Sequence, residues 1–187
     1  MSFVFTLLFV ALIVGISYVQ DWRKKDRLSA TTWEQLIGQL EALPMLGITK
    51  VALDYLQPTK GQIAIQTDEM WQLVGGAEGL KRMQTNAEIL LQLAAFAEQW
   101  NRQECIIVGE RMRRESQTLR KAVGKIQRGL IWGYGRATGP FCVQEATSTY
   151  YLMRRRLLAL YETSHVGRHA RLSIALGDAM AAYGPAC

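Results

Sequence analysis

Glu162, His165 and His169 are spaced Glu-x-x-His-x-x-x-His. On one continuous helix, steps of three and four return to the same side, so all three side chains would share a face. A carboxylate with two imidazoles suits zinc or iron. The chain holds only two histidines in total. A di-iron bundle needs two Glu-x-x-His pairs and further glutamates, so that class is excluded. Gly167 lies between the histidines and favours a helix end there. The simpler reading is a helix C-terminus whose last carbonyls meet His165.

Other chemistry is weaker still. Gly133-Tyr134-Gly135-Arg136-Ala137-Thr138-Gly139 is glycine-rich. Its spacing is not that of a phosphate loop, and a helical pattern rather than a strand precedes it. It reads as a helix–helix connection. Ser164 and His165 are adjacent and so point apart on a helix, which rules out a nucleophile–base pair there. The cysteines are Cys105, Cys142 and Cys187. Three is an odd number without Cys-x-x-Cys spacing, which argues against a disulfide framework or a zinc site. Trp33, Trp71, Trp100 and Trp132, with Tyr150 and Tyr151, read as core residues or helix-end anchors rather than an aromatic cofactor site. No cofactor is expected, and the chain does not read as an enzyme. A membrane-bound metal-dependent enzyme using Glu162, His165 and His169 is the alternative.

The elements that carry these residues are helices. Ser29, Thr31 and Thr32 offer caps for a helix starting near Trp33, with Trp33, Leu36, Ile37, Leu40 and Leu43 at helical spacing until Pro44. Leu46–Leu56 is a second, short helix. Gln57-Pro58-Thr59-Lys60-Gly61 is a turn, and Ile63–Ile65 is loop. Thr67 or Asp68 caps a helix to about Gly75. A longer one should run from Glu78 to about Trp100, and its wide apolar face (Met83, Ala87, Leu90, Ala94 and Ala97 beside Ile89, Leu93, Phe96 and Trp100) predicts a place at the centre of the core. Arg102 to Trp132 carries a clean stripe of Val108, Met112, Leu119, Val123, Ile126 and Leu130, with Ser116 filling the gap. Further helices are expected from about Phe141 to Thr163 and from Ala170 to Ala182. Short connections between helices and few strand patterns point to an antiparallel bundle.

The N-terminus is different. From Ser2 to Val19 no side chain is charged, and with Gln20 the run is 19 residues long. At a helical rise this covers about 28 Å, close to the hydrocarbon thickness of a bilayer. The alternative, a cleaved signal peptide, lacks the Lys or Arg that should precede the apolar run. Asp21-Trp22-Arg23-Lys24-Lys25-Asp26-Arg27 follows directly, and its four bases orient the N-terminus outside and the remainder on the cytoplasmic side of the cell membrane. The expected fold class is therefore all-α: a transmembrane helix over 2–20, a basic juxtamembrane linker over 21–30, a helical bundle over 31–182 and a tail over 183–187. Arg23, Lys24, Lys25 and Arg27 are candidate contacts for anionic headgroups.

The net charge of +6 over 187 residues is unevenly spread. Residues 28–101 carry four bases and eight acids, whereas residues 102–136 carry nine bases and three acids. Arg111, Arg114, Lys121, Lys125 and Arg128 lie beside the apolar stripe of the basic helix and form a candidate cationic face. Pairing with acidic neighbours explains such a face most simply, at about 0–1 kcal/mol per exposed pair. Contact with anionic lipid is the functional alternative. Nucleic acid is disfavoured, because no nucleic-acid motif is present. Of the Arg154-Arg155-Arg156 run, at least one residue should face a carboxylate and the rest should be solvated. Together these features describe a single-pass, membrane-anchored accessory protein that binds another protein. An anionic-lipid-binding module is a further alternative.

Overall fold

The structure, a computed structural model, describes residues 32–58, 65–97, 100, 102–132, 135–164 and 166–177. Every regular element among them is an α-helix: α1 Trp33–Gly38, α2 Met45–Leu56, α3 Thr67–Leu73, α4 Gly76–Ala97, α5 Arg102–Trp132, α6 Gly135–Ser164 and α7 Val166–Ala175. None is long and apolar enough to cross a membrane. The expected membrane span over 2–20, the basic residues Arg23, Lys24, Lys25 and Arg27, and the tail lie outside the described residues.

The chain divides into two compact units, Met1–Gln35 and Leu36–Cys187. In the first, the start of α1 is set by a reciprocal cap. The Gln35 N–H donates to Thr32 Oγ1 at 3.3 Å and the Thr32 N–H donates to Gln35 Oε1 at 2.9 Å. Thr-x-x-Gln is the sequence form of such a capping box.

The second unit is a helical bundle. α5 and α6 form its longest contact. α4 runs parallel to α6, since Asn86 meets Tyr150 and Leu93 meets Tyr161 further along both helices. α2 runs the other way: Tyr55 near its end stacks edge-on against Phe141 near the start of α6, with centroids 6.1 Å apart.

The centre of the core is α6, not α4 as the apolar breadth of α4 suggested. α6 packs against α2, α3, α4, α5 and α7. Residues Cys142–Gln144 and Ala146–Tyr150 are buried around its whole circumference. Its sequence looks too polar for that place, but the hydroxyls bond to their own helix. Thr147 Oγ1 donates to the Val143 carbonyl at 2.6 Å and Ser148 Oγ to the Glu145 carbonyl at 3.2 Å. Such back-bonding lets small polar residues enter a core without an outside partner.

Several boundaries also move. α1 stops at Gly38 rather than continuing to Leu43, because Glu41 is held in a non-helical path by the Asn86 side chain. α6 begins at Gly135 rather than near Phe141. Pro140 lies inside it, where its missing N–H forfeits only one bond near the helix start. α7 begins at Val166 rather than Ala170. The cap before α3 is Gln66, without a side-chain cap bond, rather than Thr67 or Asp68. Gly75 and Gly76, at φ +79° and +62°, turn the chain between α3 and α4. Gly47 lets α2 close on the end of α3, because a Cβ there would run into the Leu73 carbonyl.

Candidate functional site

The 31 residues of α5 divide cleanly by face. Cys105, Met112, Ser116, Leu119, Ala122, Val123 and Ile126 are buried. The expected stripe is present, although its last member, Leu130, is 52% exposed. Outside that stripe Arg111, Arg114, Lys121, Lys125 and Arg128 are all exposed. Their steps of three, seven, four and three keep them in one row along the helix.

Acidic partners account for only part of the positive charge. Glu110 accepts from Arg113 at 2.8 Å and from Arg114 at 3.3 Å. Those two hydrogen bonds hold the Glu110 carboxyl below its ordinary value. Glu88 on α4 pairs with Arg120 at 2.6 Å. Arg128 donates to the Gly124 carbonyl of its own helix at 3.1 Å. Among the described residues, Arg111, Lys121, Lys125 and Arg128 form no ion pair. Simple charge pairing between the acidic and basic halves therefore does not neutralise the row.

The arginine run on α6 meets its expectation at Arg155 and Arg156 and departs from it at Arg154. Arg156 does face a carboxylate, the Glu115 side chain of α5, and the pair is largely shielded from solvent. Burial pushes the Arg156 guanidinium below its ordinary value, and the nearby charge of Arg111 adds to the effect. Arg154, expected in solvent, is only 3% exposed. Three consecutive arginines cover most of a turn, so the sequence could not say which of them turn inward.

The residues of the Glu-x-x-His-x-x-x-His pattern do not share a helix. Glu162 is exposed in α6, which ends at Ser164, and His169 is half-buried in α7. His165 lies outside the described residues. Among the described residues, no group of three or more His, Cys, Asp or Glu is placed to hold a metal ion. Gly135–Gly139 belongs to the first turns of α6 rather than to a loop. Of the aromatic residues, Tyr150 is buried and receives the Asn86 Nδ2 bond at 3.5 Å. Trp100 stands edge-on to Tyr161 at 6.1 Å and carries the Arg168 guanidinium 4.7 Å above its ring. These are core and helix-end contacts.

One feature is absent from the sequence reading. α2 buries Gly47, Ile48, Val51 and Ala52, yet Leu46 is 91% exposed and Leu53 and Leu56 are each 38% exposed. Steps of seven and three align these leucines on one side of the helix. α2 is thus apolar on two faces and packs with only one. The signal was available as the spacing 46, 53, 56, but periodicity alone cannot tell a buried stripe from an exposed one. Comparison with protein-family models, curated proteins and solved structures found no match for the chain.

Proposed function

We propose that this chain is a single-pass, membrane-anchored accessory protein whose helical bundle binds another protein at the cytoplasmic membrane face and catalyses no reaction. The outward leucine stripe of α2 carries this reading. Isolated surface leucines need no explanation, but three aligned on one side of a helix whose other side is buried suit an interaction face. Leu46, Leu53 and Leu56 have the spacing at which one helix meets the apolar side of another. The occupant is an amphipathic helix of a partner protein.

Three leucines cover far less than the roughly 1,200–2,000 Å² of a stable interface in free solution. The stripe therefore suits a partner that is already close. An apolar run over 2–20 confines the chain to a bilayer, and confinement of both partners raises their effective concentration without any new contact.

The test is co-purification of the tagged full-length chain from mild detergent. Wild type should retain a defined partner that also binds the purified chain directly. Leu46→Glu, at the open position, should weaken binding while leaving the thermal melt intact, and Leu46→Glu with Leu53→Glu should lose it. Turnover of a small molecule by the purified chain, or partner binding indifferent to both leucines, would overturn the proposal.

A further inference from the structure

We infer that the exposed row of α5 is a second membrane contact, seating Arg111, Arg114, Lys121, Lys125 and Arg128 on the anionic phospholipid headgroups of the leaflet beside the tether. The inference rests on the tether proposed above but uses a different face from the α2 stripe, so either can fail alone.

Four observations favour a lipid surface. First, the charge is unsatisfied: four of the five cations form no ion pair among the described residues, and each is exposed. Exposed cations near an anionic leaflet gain free energy that pairing within the bundle does not supply here. Second, the row is long and keeps to about a third of the helix circumference. From 111 to 128 it runs roughly 26 Å at the helical rise, a shape that fits a flat field of phosphates. Third, Ile107, 70% exposed, continues the row one turn before Arg111, and Ile131, 81% exposed, follows one turn after Arg128. Apolar side chains bracketing a cationic row can enter the boundary between headgroups and acyl chains, where helix-borne Lys and Arg lie beside apolar residues. Fourth, the sequence carries no nucleic-acid motif, and the one aromatic residue of α5 is Trp132 at its very end, so no succession of stacking platforms runs along the row.

The leaflet is also a polyanion that the tether would keep within reach. Residues 21–31 separate the apolar run from the described fold. Fully extended they span at most about 40 Å. An acidic protein would satisfy the same charges, but it would gain nothing from a change of lipid.

The full-length chain in lipid nanodiscs decides between these. Discs of phosphatidylcholine alone are compared with discs containing phosphatidylglycerol, and a water-soluble amine-acylating reagent is followed residue by residue by mass spectrometry. Lys121 and Lys125 should react roughly tenfold more slowly in the anionic discs at ~0.05 M salt and recover at ~1 M, where the Debye length falls to about 3 Å. Lys81, exposed on α4, should react equally in both and reports that the fold is unchanged. Arg114→Glu with Arg128→Glu leaves both reporter lysines in place and should reduce their protection to less than about twofold. Equal reaction rates in the two lipids overturn the inference. So does protection that appears only on adding an acidic protein and is the same in both discs.

Discussion

Asn86 is a side chain on which the path of the chain into α2 depends, and its replacement by alanine gives a sharp test of the packing argument. Asn86 is 2% exposed. Its Oδ1 accepts from the Glu41 N–H at 2.9 Å, and its Nδ2 donates to the Glu41 carbonyl at 2.8 Å. The amide thus stands in for the backbone partners that residue 41 would have found had α1 continued. Each such bond contributes about 1 kcal/mol net. Removal also takes the Asn86 donor away from the buried Tyr150 hydroxyl, although at 3.5 Å that bond is near the limit of useful geometry. Adding a small void, Asn86→Ala should cost about 2–4 kcal/mol. For a domain of this size, that lowers the melting temperature by roughly 5–15 °C. The assay is urea unfolding of the full chain in mild detergent, followed by helical circular dichroism. A double-mutant cycle with Tyr150→Phe should give a coupling below about 0.5 kcal/mol, because most of the Asn86 contribution goes to Glu41. A loss under about 1 kcal/mol for Asn86→Ala would falsify the bracing argument, since segment 39–44 would then hold its path with water alone.

The other expected outcomes follow from the same contacts. Gly47→Ala forces a Cβ into the backbone of Leu73 and should destabilise by about 2–3 kcal/mol. Gly124→Ala, whose Cβ meets open space inside α5, should instead stabilise by about 0.5–1 kcal/mol; matched urea midpoints for the two variants check both signs. Burial pushes the Tyr150 hydroxyl up to about 12, against smaller lowering effects of Asn86 and Arg154. The native state therefore keeps a proton that the unfolded chain has already released above its ordinary value near 10. The stability this provides is complete below that value and is lost as the pH rises through the native one. Unfolding midpoints between pH 9 and 12 should fall for wild type and less steeply for Tyr150→Phe; parallel slopes would contradict the burial.

Much of the helical layout was legible because it depends on local rules. A hydroxyl cap just before Trp33, the span of α5, the α2 helix and the apolar stripe of α4 follow from capping chemistry and helical spacing, which neighbouring residues determine among themselves. Two of the misplacements have separate causes. The early stop of α1 comes from a side chain 45 residues further on, and the central place of α6 comes from hydroxyls that bond to their own helix. Periodicity counts a threonine as polar whether or not its proton is already used.

By itself, the sequence determined that the described part is helical, that its charge is concentrated on one long helix, and that an apolar stretch of membrane-spanning length lies at its start. Only the tertiary structure decided which charges find partners, which of three arginines turn inward, and which of the two apolar sides of α2 is buried. Those outcomes depend on distances between residues far apart in the chain. The spacing of residues along a helix sets which of them share a side, but not what stands opposite.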